Sequence, residues 1–102
     1  MENMSFDDKL KFIQSNLSYA AILEQMAEEC TELAQASLKL ARILRKENPT
    51  PASLQMVTDN LVEECNDVSL CMSACNIQPS ERNQQYKLNR WVQRIVKAKQ
   101  YE

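Results

Sequence analysis

The chain contains no glycine among its 102 residues, and only three prolines. Primed β-hairpin turns and glycine-rich phosphate loops both depend on glycine, because it adopts positive φ without steric cost. The missing glycine therefore excludes these features and favours helices. Hydrophobic residues make up 44% of the chain and charged residues 25%, as in a folded domain rather than a disordered one. We expect an all-α protein with a single domain over residues 1–102.

Capping residues and prolines divide the chain into segments, which predict a bundle of about four helices. The expected helices cover about residues 5–16, 18–46, 51–76 and 80–99. Ser5 and Asp8 have the spacing of a capping box at the first start. Thr50 is expected to cap the third helix, with Pro51 in its first position. Ser80 is expected to cap the last helix.

A carboxylate interrupts the apolar stripe of each long helix once. Residues at alternating steps of three and four share a helix face. The stripe of the second helix is Ile22, Met26, Glu29, Leu33, Ala36, Leu40 and Ile43, and that of the third is Leu54, Val57, Leu61, Glu64, Val68, Cys71 and Cys75. Glu32 and Asp67 follow the interrupting acids by three residues. Antiparallel packing of the two helices would therefore gather four carboxylates in one place.

Four buried carboxylates need a positive partner, because burial and mutual repulsion both oppose their charge. The chain has no histidine, and the four clustered donors are all carboxylate oxygens. Oxygen donors favour Mg²⁺, with Mn²⁺ as an alternative, over zinc or copper. Di-iron bundles normally use Glu-x-x-His pairs, which are missing here. The competing interpretation is a solvated acidic face, which suits Glu28 and Glu63.

The four cysteines all fall within predicted helices. We expect Cys30, Cys65, Cys71 and Cys75 to be reduced and to pack as small apolar residues. A zinc site is disfavoured, since the chain has neither a CxxC pair nor a histidine.

Net charge and hydropathy limit the classes of partner. The net charge is −2 without a long basic run, so we expect no nucleic-acid polymer as a partner. No apolar stretch approaches the roughly 20 residues that a membrane span needs. The opening MENMSFDDKLKF lacks the basic start and apolar centre of a signal peptide. These features lead us to expect a cytoplasmic protein without a membrane partner.

The two acidic segments resemble the EExxE…ExxD signature of the MazG-like nucleotide pyrophosphohydrolases. The matching residues are Glu28-Glu29-Cys30-Thr31-Glu32 and Glu64-Cys65-Asn66-Asp67, flanked by LAQASLKLAR, LVEECNDVSLCM and, later, YKLNRWVQRI. This all-α superfamily also includes dimeric dUTPases and dCTP pyrophosphatases, and the resemblance covers about residues 18–95. Cys65 and Asn66 replace small or aliphatic residues, and the spacing between the motifs is long. These departures leave the preferred base open.

The resemblance implies Mg²⁺-dependent cleavage of a nucleoside triphosphate into a monophosphate and pyrophosphate. It implies metal ligation by Glu29, Glu32, Glu64 and Asp67, and we select Glu32 as the base that accepts the proton of water. Candidate phosphate ligands are Lys87, Arg90, Arg94, Lys39 and Arg42, although the last two could instead be solubilising charges. Tyr86 and Trp91 could stack on a base, or Trp91 could pack against its apolar neighbours.

A second stripe on the second helix indicates assembly. It consists of Leu23, Ala27, Cys30, Ala34 and Ala41, and a chain with so few helices cannot cover both stripes. The resemblance also implies a homodimer or homotetramer. The alternative function is a non-enzymatic helical interaction protein with a structural cation site.

Overall fold

The structure is a computed structural model that describes residues 3–101, which contain four α-helices and no strand. The helices are α1 (Phe6–Asn16), α2 (Tyr19–Arg45), α3 (Leu54–Ala74) and α4 (Glu81–Lys99). The all-α prediction is therefore confirmed for this range. The expected single domain over 1–102 also includes residues 1, 2 and 102, which lie outside it.

A serine hydroxyl caps the start of each of these helices. Ser5, Ser18, Ser53 and Ser80 each accept a hydrogen bond from the backbone N–H three residues later, at 3.1–3.2 Å. Asp8 also accepts from the Ser5 N–H, which completes the predicted capping box. Serine caps satisfy backbone donors that the first helical turn leaves free. Local sequence therefore fixes these starts.

The predicted start of α3 is wrong. We expected Thr50 as the cap and Pro51 as the first helical residue, whereas Ser53 is the cap and Leu54 is the first residue. The Thr50 hydroxyl donates to the Asn48 carbonyl at 3.4 Å instead, inside the loop. Thr50 thus stabilises the turn before the helix and leaves the capping role to Ser53.

Within residues 3–101, two residues at helix ends take the left-handed conformation, which glycine adopts most easily. Lys46 closes α2 with φ of 59°, and Asn76 follows α3 with φ of 56°. The Ile77 N–H donates to the Met72 carbonyl at 2.9 Å, and the Asn76 N–H to the Ser73 carbonyl at 3.1 Å. This is a Schellman motif, in which asparagine takes the place that glycine usually holds.

α2 and α3 form an antiparallel pair, with α1 packed against α3 at one end. Ile22, near the start of α2, packs with Ala74 and Cys75 at the end of α3. The Gln14 side chain of α1 donates to the Ala74 carbonyl at 3.0 Å. The predicted stripes of both long helices are buried or half-buried, except that Leu54 at the start of α3 is 52% exposed.

α4 departs from a closed four-helix bundle. It makes no substantial contact with the other three helices, and each of its residues is exposed. Trp91, which could have packed against apolar neighbours, is 63% exposed. The radius of gyration is 18.2 Å, against about 13 Å for a compact domain of this length. The packed body within one chain is therefore α1–α3.

None of the four helices within residues 3–101 is both long enough and apolar enough to cross a membrane.

Candidate metal centre

Four carboxylates meet at the middle of the α2–α3 pair. α2 contributes Glu29 and Glu32, and α3 contributes Glu64 and Asp67. One oxygen from each lies within 4.8 Å of the others. We call these four residues the carboxylate cluster. Their convergence follows from the stripes, because each pair is one helical turn apart and the helices run antiparallel.

The two acids that interrupt the stripes are the more deeply placed members of the cluster. Glu29 and Glu64 are half-buried, whereas Glu32 and Asp67 are exposed. The Glu29 Oε1 atom accepts a hydrogen bond from Gln25 Nε2 at 2.9 Å. The Oε2 atoms of Glu29 and Glu64 are out of reach of solvent and have no hydrogen-bond partner within the described part of the chain. Buried carboxylate oxygens without donors are unfavourable, so the arrangement suits a bound cation.

The surroundings of Glu29 make its ionisation less favourable than in water. Withdrawal from water is the largest effect that raises the pKa of Glu29, and the negative charges of Glu32 and Asp67 raise it further. The hydrogen bond from Gln25 acts in the opposite direction and lowers this pKa. A divalent cation between these carboxylates would lower the pKa of Glu29, because a nearby positive charge favours the ionised form.

An apolar cleft of about 340 Å³ adjoins the carboxylate cluster. Glu29 and Asp67 form its charged edge. The other lining residues come from α1, α2, α3 and the α1–α2 joint: Ile13, Leu17, Ile22, Gln25, Leu70, Cys71 and Ala74. A cavity of this size, with an apolar wall and a few polar groups on one side, suits a small organic ligand that carries charge at one end.

Sequence reasoning missed the cleft. Gln25 precedes Glu29 by four residues, and this spacing could have identified it as a partner of that acid. Ile13 and Leu17 had no comparable signal, since their position depends on how α1 crosses the end of the helix pair. Long-range packing of this kind is not encoded in the period of a single helix.

All four cysteines are free thiols, as expected. Cys75 is buried and Cys71 half-buried, whereas Cys30 and Cys65 are exposed. Within the single chain, Cys30 and Cys65 therefore do not pack as the small apolar residues that we expected. Cys30 belongs to the second stripe of α2, which we expect to face a partner chain. Burial, followed by the charge of Glu29, raises the pKa of the Cys71 thiol. Cys71 therefore remains a neutral wall of the cleft at neutral pH.

The predicted phosphate ligands of α2 lie away from the cluster. Lys39 comes seven residues after Glu32, or about 10 Å along the helix. It borders a groove with Ala52 and Met56 at the start of α3. Arg42 lies further along, beside Arg45 and Asn48. Both side chains are exposed, and the structure does not bring them beside the carboxylates.

The predicted phosphate ligands of α4 lie together on a separate surface. Lys87, Arg90 and Arg94 border a shallow groove with Trp91. The Arg90 guanidinium lies 5.9 Å from the centre of the Tyr86 ring, a cation–π arrangement. Because α4 does not pack on α2 and α3, one chain alone does not combine these cations with the carboxylate cluster.

No protein-family model, no curated protein and no solved structure matches this chain.

Proposed function

We propose that the protein is a Mg²⁺-dependent nucleoside triphosphate pyrophosphohydrolase, the activity that the MazG-like resemblance implies. The observation that carries the proposal is the carboxylate cluster, in which four acids from two helices lie within 4.8 Å of one another. Two of their oxygens are buried without partners. An isolated solvated acidic face would not bury such oxygens.

The donor set fits a hard divalent cation. Glu29, Glu32, Glu64 and Asp67 offer only carboxylate oxygens, which suit Mg²⁺ or Mn²⁺. A bound Mg²⁺ would supply charge neutralisation at the phosphate oxygens and a lowered pKa of a coordinated water. The half-buried Glu29 and Glu64 fix the inner side of such a site, and the exposed Glu32 and Asp67 leave its outer side accessible to substrate.

The chain's own groups account for the remaining steps. The apolar cleft would hold the base or sugar, with the triphosphate directed towards Glu29 and Asp67 at its edge. Water attacks the α-phosphorus, and the bond from that phosphorus to the oxygen bridging to the β-phosphorus breaks. Glu32 accepts the water's proton, and pyrophosphate leaves with the bridging oxygen. Glu32 suits this role because it belongs to the cluster but stays exposed.

The phosphate chain also requires cations. Lys87, Arg90 and Arg94 of α4 are our candidates, together with Lys39 and Arg42 of α2. None of these lies beside the cluster in the single chain. We therefore propose a homodimer or homotetramer in which a neighbouring copy completes the site, located in the cytoplasm, where nucleoside triphosphates are formed and consumed.

The test is pyrophosphate release from a panel of canonical and modified nucleoside triphosphates, with Mg²⁺ and with a chelator. We expect release of pyrophosphate and the matching monophosphate with Mg²⁺ only. Glu28→Gln is the matched control for substitutions in the cluster, because Glu28 is exposed and lies outside the cluster. Its activity should stay near that of the wild type.

A specific observation favours the second candidate function, a helical interaction protein with a structural cation site. α4 exposes an apolar face that none of residues 3–101 covers. If no nucleotide yields pyrophosphate at micromolar protein, yet Mg²⁺ still raises the melting temperature, this second function replaces the first.

A further inference from the structure

The protein exposes far more surface than a compact monomer of its mass. Its solvent-accessible surface is 8644 Å². A folded monomer of 11.8 kDa is expected to expose about 5,900 Å². The difference, about 2,700 Å², exceeds the roughly 800 Å² that each partner buries in a standard interface. An excess of this size suits an obligate assembly.

α4 carries much of this uncovered apolar surface. Its apolar face consists of Leu88, Trp91, Val92 and Ile95, which are between 48% and 63% exposed. Helices in proteins are stabilised mainly by packing an amphipathic face rather than by intrinsic propensity. The described part of its own chain does not pack on this face, so α4 requires a partner.

Charge identifies the partner. α4 contains six basic residues and one acid, a net charge of +5, whereas residues 1–80 contain six basic residues and twelve acids, a net charge of −6. Two α4 helices packed together would place like charges side by side. An acidic surface of a second copy fits α4 instead, because opposite potentials favour association.

α3 presents an acidic row that complements α4. Asp59, Glu63 and Asp67 follow one another at steps of four residues, and all three are exposed. Like charges at this spacing are unfavourable unless a cation lies opposite. The row spans about 12 Å, and the row of Lys87, Arg90 and Arg94 on α4 spans about 10 Å. Leu70, 46% exposed, continues the acidic row with an apolar contact for the α4 face.

We propose that α4 of one copy docks on α3 of a second copy, with its basic row (Lys87, Arg90, Arg94) against the acidic row (Asp59, Glu63, Asp67). The exchange is reciprocal in a dimer, so each copy donates one α4 helix and receives another. This proposal does not depend on nucleotide chemistry. If the proposed function also holds, docking brings Lys87 and Arg90 towards the carboxylate cluster, because Asp67 belongs to both the cluster and the acidic row.

The first test is solution mass by light scattering, without nucleotide, over a range of protein and salt concentrations. We expect at least twice the chain mass of 11.8 kDa. The dissociation constant should rise between about 50 mM and about 500 mM NaCl, since salt screens exposed charge pairs. A monomer at all concentrations would overturn the proposal. A dimer that tightens with salt would too, because it would indicate pairing of two basic α4 helices.

Charge reversal tests the two rows. Arg90→Glu and Glu63→Arg, at the centres of the rows, should each weaken the dimer about tenfold or more, because each places like charges together. The double variant should recover most of the loss. Arg82→Glu makes the same change on α4 but outside the row, and should have little effect. All three residues are exposed, so the chain should still fold. Equal effects of Arg82→Glu and Arg90→Glu would contradict the assignment.

Cross-linking distinguishes exchange between copies from α4 folding back on its own α3. Unlabelled and ¹⁵N-labelled protein are mixed and treated with a carbodiimide, which joins lysine amines to carboxylates. We expect peptides that join Lys87 to Asp59, Glu63 or Asp67, with one labelled and one unlabelled partner. Links within one isotope only would overturn the proposal, as would mixed links confined to α4. Neither result depends on whether the protein hydrolyses nucleotides.

Discussion

Glu64 is the residue whose replacement separates charge from shape in the carboxylate cluster. Glu64→Gln keeps the size of the side chain and removes one charge from a half-buried group. We expect the rate of pyrophosphate release to fall by more than about 100-fold. Replacing a residue that only hydrogen-bonds to a metal ligand already costs about 10- to 100-fold. The melting temperature without divalent cations should stay constant or rise, because repulsion within the cluster decreases.

Glu28→Gln is the control for Glu64→Gln. Glu28 is exposed and lies outside both the carboxylate cluster and the acidic row of α3, so its loss should leave the catalytic rate near that of the wild type. Unchanged kinetics in Glu64→Gln would remove this residue from the ligand set and leave the proposed site without its inner α3 ligand.

Glu29 makes stability depend on pH when divalent cations are chelated. Its pKa in the native state lies above the ordinary 4.5, mainly through loss of water. The native state therefore holds this proton more tightly than the unfolded state. The corresponding stabilisation is complete below pH 4.5 and is lost as pH rises through the raised native pKa.

Thermal melts in a chelating buffer measure this effect. The pH dependence of the wild-type melting temperature should exceed that of Glu29→Gln, with the wild type losing more stability as pH rises above about 4.5. Glu28→Gln should retain the wild-type dependence. If the melting temperatures of Glu29→Gln and the wild type depend on pH in the same way, the native pKa of Glu29 is not raised above its unfolded value.

For individual helices, the predicted cap of α3 is wrong, because Ser53 and not Thr50 caps the helix. Thr50 and Ser53 are both good capping residues, and Pro51 made the earlier start attractive. The sequence does not reveal that the Thr50 hydroxyl bonds to Asn48 within the loop. Ser5 is distinguished by its capping-box partner Asp8, and Ser80 directly follows Pro79, so both of these helix starts were predictable from local chemistry.

The α3 cap can be tested by two alanine substitutions. Ser53→Ala removes the acceptor of the Met56 N–H and should reduce the free energy of unfolding by about 1 kcal/mol. Thr50→Ala removes only a 3.4 Å bond in the loop and should cost less. Urea denaturation of both variants measures the difference. A larger loss for Thr50→Ala would support the earlier start of α3.

The sequence pattern of a helix also does not specify what α4 contacts or where the apolar cleft lies. Periodicity predicts that Leu88, Trp91 and Ile95 share a face, but it does not say what that face contacts. The carboxylate cluster was predictable because two interrupted stripes on adjacent helices leave few ways to pack. The cleft and the position of α4 depend on the crossing of α1 and on the joint after Asn76, which no single helical pattern specifies.

For the whole molecule, cation binding should be coupled to folding. The carboxylate cluster brings α2 and α3 residues together only in the native state, so Mg²⁺ should bind that state selectively. The melting temperature should then rise with Mg²⁺ concentration by mass action. NaCl at matched ionic strength should produce a smaller rise, and Glu64→Gln should reduce the Mg²⁺ effect. Equal shifts with both salts would indicate general screening.

The joint between α3 and α4 has a consequence for the growth of an assembly built by exchange. The Schellman bonds around Asn76 fix the end of α3, and Ile77, Gln78 and Pro79 then set the direction of α4. Each chain donates its α4 and receives another α4 on its α3. If the second copy docks its α4 on the first copy, the result is a closed dimer. If it docks its α4 on a third copy, the result is an open filament. A substitution at Pro79 that changes the direction of α4 would therefore convert a closed dimer into a filament. The solution would become turbid, while the helix content measured by circular dichroism would stay the same.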